Sequence, residues 1–218
     1  MELTENKKNL KVAIIPTASD PIEWVKENEG DNIKDYIPII STERKWKYLD
    51  WLHSYRIGWE KKWYSVIIAD LKEDPMIIKK KLESVDIIDV TGGDVNWLLD
   101  WAKKSQLDMY LKEILKKWVI YVGTSAGSDL VLPDIGLTWW DLDWKLDHIG
   151  FGIVDFVIVP HQKESDKQSN IENLIKRRDY LRSIIDFPWK IYLLQDGQAI
   201  QIVDDKIEHI WIGVKNNI

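Results

Sequence analysis

From residue 11 onward, short apolar runs alternate with longer amphipathic stretches. Residues 11–16 (KVAIIP), 64–71 (YSVIIADL), 85–91 (VDIIDVT), 119–122 (VIYV) and 153–160 (IVDFVIVP) are rich in branched side chains. They read as five strands. Residues 17–21 form a polar loop with helix-starting residues. Residues 43–59 read as a helix, with Trp46, Leu49, Leu52 and Tyr55 or Arg56 spaced by three or four. Asp74-Pro75 opens a second helix carrying Ile77, Ile78 and Leu82. Residues 96–102, 107–117 and 171–185 are helical by periodicity. Residues 191–194, 199–203 and 208–212 read as short terminal strands, with Asp204-Asp205 as a hairpin turn. Strands alternating with helices predict an α/β fold: a mostly parallel sheet with helices on both faces. No internal repeat or linker interrupts the pattern, so residues 1–218 read as a single domain.

Composition narrows the possibilities. A chain of 218 residues with 45% apolar content can bury a sizeable core. The net charge of −6 and pI of about 5.3 give no basic footprint for nucleic acid or an anionic membrane. There is no cysteine, hence no disulfide, thiolate metal site or cysteine nucleophile. Residues 1–11 are polar, and no apolar run reaches about 18 residues, so a soluble cytoplasmic protein is expected. Neither a cofactor nor a metal is expected: there is no phosphate-cradling glycine loop and no histidine–acid cluster.

The candidate chemistry sits at predicted strand ends, where open α/β sheets place their sites. Gly123-Thr124-Ser125-Ala126-Gly127 joins the fourth strand to a possible helix, which is the pattern of a nucleophile elbow. A serine in a helix-capping turn is the alternative reading. His161, directly after the fifth strand and Pro160, is the candidate base; the other histidines (53, 148, 209) follow no such strand. Gly92-Gly93 can present a backbone N–H to a developing oxyanion, with the N–H of Ala126 as second donor. An ordinary glycine turn is the alternative. For the acid that orients the imidazole, Asp196 before Gly197 is one candidate, and Asp141 and Asp143 are others.

Together these residues resemble peptidase family S51, which contains dipeptidase E and cyanophycinase. The matching segments are IPTAS (15–19), VTGGDVNWLL (90–99), VGTSAGS (122–128), VPH (159–161) and LLQDGQAI (193–200). The resemblance implies a class I glutamine amidotransferase-like, flavodoxin-like three-layer fold with serine in place of the amidotransferase cysteine. It implies a Ser-His-acid hydrolase in which Ser125 and His161 match the family nucleophile and histidine. Asp196 falls where dipeptidase E has a glutamate, and Asp141 is the alternative acid. Dipeptidase E favours an N-terminal aspartate, which makes Arg177, Arg178 and Arg182 candidate substrate contacts. The expected activity is hydrolysis of short peptides by a monomer or homodimer. The alternatives are a non-catalytic binding member of the same fold, or an α/β-hydrolase esterase with triad order Ser, acid, His.

The thirteen tryptophans add one anomaly. The family commonly has glycine at position 118, and positions 63, 139, 140 and 211 also look like glycine sites. One reading is that UGA codes for glycine in the source and has been translated as tryptophan. The other is a naturally tryptophan-rich chain. In the first case, large indoles are expected to disturb packing near the strand that feeds Ser125.

Overall fold

In the computed structural model the described residues are 9–27, 36–136, 149–162, 172, 176, 179 and 189–211. The chain divides into two compact units, Met1–Leu130 and Val131–Ile218.

The first unit is organised by four parallel strands in the order β4-β1-β5-β6. They are β1 (Lys11–Ile15), β4 (Ser65–Ile68), β5 (Ile87–Val90) and β6 (Ile120–Gly123). Val12 pairs with Val66 on one side and Ile87 on the other, and Val90 pairs with Gly123. Every residue of β1 after Lys11 is buried, as branched apolar residues in a central parallel strand should be. Val12, Ile14 and Ile87 point to one face, where Leu52, Tyr55 and Trp59 of helix α1 (Lys45–Glu60) pack on them. The alternate residues Ala13, Ile15, Ile88 and Val90 are fully buried on the other. Helices α2 (Pro75–Leu82), α3 (Val95–Lys104) and α4 (Leu107–Leu115) complete this unit, with α3 packed on α4 and α2 on α4. The Asp74 and Asp94 side chains cap α2 and α3 by accepting from Met76 N and Trp97 N.

Two details differ from the sequence reading. The buried face of α1 runs through Leu52, Tyr55 and Trp59, whereas Trp46 and Leu49 are exposed. The predicted stripe holds at Leu52 and Tyr55 and fails at its first two members, which lie beyond the sheet contact. A hairpin of β2 (Ile22–Lys26) and β3 (Tyr36–Ile40), with Ile22 opposite Ile40, was not foreseen. Pro38 breaks the β3 pattern, and proline is tolerated where a strand edge needs no donor.

In the second unit β7 (Phe156–Val159) and β8 (Lys190–Leu193) pair in parallel. Leu132, Val157 and Val159 form their core with Ile191 and Leu193. β9 (Gln198–Val203) and β10 (Lys206–Trp211) form an antiparallel hairpin. Its turn is Asp204-Asp205, both at positive φ (48° and 64°), the two-residue geometry that matches strand twist. In the stretch 171–185 only 172, 176 and 179 are described, and all three are helical.

A buried carboxylate lies inside the apolar run of β5. Asp89 is fully buried, and its Oδ2 accepts from Tyr55 Oη at 2.9 Å and Trp59 Nε1 at 2.7 Å. Oδ1 has no partner among the described residues. Burial raises the Asp89 pKa above its ordinary value of 3.8, and the two donors offset this only in part. The folded state therefore binds this proton more tightly than the unfolded chain. Asp89 favours folding at low pH, and that contribution is lost as pH rises from 3.8 through the raised value. Urea unfolding of wild type and Asp89→Asn across this range should show the wild type losing stability relative to the variant as pH increases. A pH-independent difference would mean that the carboxyl titrates normally.

Five of the tryptophans fall into two kinds. Trp24, Trp59 and Trp97 donate their indole N–H to Asp94, Asp89 and Asp20 at 2.7–2.8 Å. Trp63 and Trp118 instead follow the ends of α1 and α4 in the left-handed region (φ 67° and 68°) and are 88% and 83% exposed. That backbone at a helix end favours glycine. The expected disturbance of packing by Trp118 is not seen, because its indole lies in solvent. Trp211 ends β10 in extended backbone that does not call for glycine, and Trp139 and Trp140 lie outside the described residues. Trp118→Gly should stabilise the protein by about 0.5–1 kcal/mol, the strain relieved less the added freedom of the unfolded chain. A lower urea midpoint would show that the indole makes stabilising contacts. A UGG codon at position 118 would rule out recoding there.

Candidate active site

Strand β6 delivers the chain to Ser125 at the start of a four-residue helix, α5 (Ala126–Asp129). Ser125 has φ 51° and ψ −118°, outside the helical and extended regions. Such a conformation costs about 1–3 kcal/mol and persists only where its surroundings impose it. Several bonds do so here. Thr124 N donates to Val90 O at 3.0 Å, and Ser128 N and Asp129 N donate to Ser125 O at 2.7 and 3.1 Å. The Ser128 hydroxyl donates to Gly123 O at 2.7 Å, and Tyr121 Oη donates to Gly127 O at 2.5 Å. Burial, with Asp129 and Asp89 nearby, holds the Tyr121 pKa far above its ordinary value, so this phenol stays a donor.

The glycines of the pentapeptide are sterically required. A Cβ on Gly127 would lie 2.1 Å from Val90 O, and one on Gly123 would lie 2.6 Å from Gly127 O. Ser125 makes no side-chain cap hydrogen bond to α5, which removes the helix-capping account of this serine.

The Thr91-Gly92-Gly93 segment leaves β5 beside Ser125. A Cβ on Gly92 would stand 3.0 Å from Ser125 Cβ and 3.8 Å from its Oγ. Gly93 has φ 141°, and a Cβ there would collide with Ala18 O at 1.9 Å. Among the described residues, the backbone N–H groups of Gly93 and Ala126 donate to no protein acceptor.

Sequence reasoning missed the support behind this segment. After β1, Thr17–Ser19 form a short 3-10 turn, η1, packed on α3. Ser19 Oγ donates to Gly92 O at 2.5 Å and meets Thr91 Oγ1 at 3.0 Å, while Asp94 N donates to Ala18 O at 2.8 Å. The available signal was IPTAS, which contains a hydroxyl residue at the end of the central strand.

In the second unit, His161 and Asp196 follow the parallel strands β7 and β8, which end side by side. Leu194 N donates to Val159 O at 3.0 Å and Gln162 N to Leu194 O at 2.9 Å, tying the two strand exits together. His161 sits at φ 58°, and its Nδ1 lies 2.7 Å from Asp196 Oδ1. A carboxylate only accepts, so the proton of this bond sits on Nδ1, which makes Nε2 the acceptor whenever the ring carries a single proton. Both side chains are well exposed, 59% for His161 and 80% for Asp196. Asp141, Asp143, Arg177, Arg178 and Arg182 lie outside the described residues. Among the described residues, no group of three histidines and acids is arranged to hold a metal, and no helix is long and apolar enough to cross a membrane.

Comparison with known proteins supplies the lineage. The uncharacterized peptidase Lin0382 of Listeria innocua is 25% identical over 135 residues, covering 60% of this chain and 61% of that protein. The uncharacterized peptidase Lmo0363 of Listeria monocytogenes is 32% identical over 89 residues, covering 38% of this chain and 43% of that one. The chain thus matches less than two thirds of the length of either relative. A 1.5 Å crystal structure from Listeria monocytogenes EGD-e, of a protein provisionally named peptidase E, superposes with a TM-score of 0.63 at 22% identity. That superposition covers 97% of this chain and 91% of the other, and it shows a shared fold. The profile of peptidase family S51 matches residues 36–210, most of the sequence. The chain belongs to peptidase family S51.

Proposed function

We propose that this chain is a serine peptidase of short peptides, dipeptidase E-like, with residues 1–218 acting as one domain. The observation that carries the reading is the strained backbone of Ser125, whose side chain does not cap α5. A fold keeps such strain where a side chain must be presented rather than packed. In this reading the neutral His161 takes the Ser125 proton on Nε2 as Oγ attacks the peptide carbonyl. The N–H groups of Gly93 and Ala126 donate to the oxyanion, worth about 3–4 kcal/mol each in the transition state. Asp196 holds the imidazole in the required tautomer and stabilises the imidazolium. His161 then protonates the leaving amine, and water releases the acyl group. The order Ser125, His161, Asp196 does not suit the α/β-hydrolase esterase, whose histidine comes last. Arg177 and Arg178 are the cations to test for recognition of an acidic side chain.

The test is chemical. Folded protein treated with a fluorophosphonate should gain one adduct, located at Ser125 by peptide mass spectrometry. It should also hydrolyse members of a dipeptide panel that includes N-terminal aspartate. A folded protein with no adduct at Ser125 and no turnover would overturn the reading in favour of a non-catalytic binding member of the fold.

A further inference from the structure

We infer that Ser19 is a positioning residue that holds the Gly92–Gly93 peptide with its N–H presented to the reacting oxygen. The inference rests on the reading of Ser125 as nucleophile. It concerns a group that reacts with nothing itself.

The Gly92–Gly93 peptide is trans, so the C=O of Gly92 and the N–H of Gly93 point in opposite directions. Whatever holds the carbonyl therefore aims the amide. A peptide between two glycines is the easiest kind to turn over, because neither flanking residue has a Cβ to resist it. Both glycines are needed: Gly92 for its closeness to Ser125, and Gly93 for its φ of 141° against Ala18. The segment must be glycine and consequently lacks stiffness of its own.

The η1 turn supplies the stiffness. The single proton of the Ser19 hydroxyl goes to Gly92 O at 2.5 Å. Thr91 Oγ1 lies 3.0 Å from Ser19 Oγ and 3.3 Å from Ile15 O, so its one proton is shared between these two acceptors. Where Thr91 donates to Ser19, the two hydroxyls form a chain to Gly92 O in which each bond strengthens the next. With the carbonyl held toward Ser19, the Gly93 N–H faces away from it. That N–H has no protein acceptor among the described residues. If the peptide turned over, a carbonyl would replace the donor and repel the oxyanion.

The experiment compares wild type, Ser19→Ala and Thr91→Val. Each is measured for kcat and KM on a cleaved dipeptide and for the rate of fluorophosphonate labelling at Ser125. The 15N–1H resonance of Gly93 is followed in the unliganded proteins. Ser19→Ala should lower kcat and the labelling rate together by about 10- to 30-fold, less than the loss of a whole oxyanion donor, with KM within about 2-fold. The Gly93 resonance should shift or broaden. Thr91→Val, which leaves the Ser19 bond in place, should show a smaller loss of the same kind. Rescue of kcat by Ser19→Thr, which restores the hydroxyl, supports the role. Unchanged kcat, or a loss confined to KM or thermal stability, overturns it. If Ser19→Ala does not fold, an unmoved Gly93 resonance and normal kcat in Thr91→Val overturn it equally. Failure of wild type to label at all sinks the peptidase reading, and the role of Ser19 with it. Wild-type labelling with an unaffected Ser19→Ala sinks this inference alone.

Discussion

Ser125→Ala is expected to lower kcat by about 10⁴- to 10⁶-fold while leaving the protein folded. The size follows from the mechanism: without the hydroxyl there is no acyl-enzyme, and only binding and the oxyanion donors remain. Stability should change little, because alanine has a Cβ and keeps the strain at φ 51°. Ser125→Gly separates the two roles of the position. It should be equally inactive but more stable by about 1 kcal/mol, since glycine occupies this backbone without cost. Measuring kcat and urea midpoints for both variants tests the pair of expectations. Substantial residual hydrolysis by Ser125→Ala would remove Ser125 from the chemistry. A destabilised Ser125→Gly would show that the turn is not strained and would weaken the reason for assigning the serine a function.

The sequence revealed this site through its requirement for small residues. Gly123 and Gly127 are legible because the turn leaves no room for a Cβ. Gly92-Gly93 is legible because the chain crosses Ser125 and Ala18 at contact distance. The strands that carry these residues are equally legible: a parallel strand buried on both faces reads as an unbroken apolar run, as β1 does. Other features follow rules that a single sequence does not display. The β2–β3 hairpin is held by cross-strand pairing, which has no local signature once Pro38 interrupts the alternation. The face of α1 that packs is set by where the sheet lies, so Trp46 and Leu49 are as apolar as Leu52 and yet exposed. Asp89 reads as one residue of an apolar run, because its donors Tyr55 and Trp59 are 34 and 30 residues away in α1. Ser19 was passed over for the same reason: its partner Gly92 is 73 residues distant. Burial and steric exclusion leave marks along the chain, whereas side-chain hydrogen bonds between distant elements do not.

Asp196→Asn should slow hydrolysis by about 10- to 100-fold, well short of the 10⁴-fold seen when a buried triad aspartate is changed. The direction comes from the tautomer. Asparagine can present its N–H₂ to Nδ1 and so favour the ring with its proton on Nε2, where it cannot accept from serine. It also removes the charge that stabilises the imidazolium. The reduced size comes from exposure: with Asp196 80% and His161 59% exposed, water can stand in for part of the lost interaction. Asp196→Glu is the informative companion, because glutamate is what the dipeptidase E resemblance implies at this position. The longer chain should hold the same Nδ1 bond, with kcat staying within about 3-fold of wild type. Measuring kcat for these variants beside Asp141→Asn decides between the two candidate acids. A rate unaffected by Asp196→Asn but reduced by Asp141→Asn would move the orienting role to Asp141. It would leave the 2.7 Å pair of His161 and Asp196 as a surface contact between two strand ends.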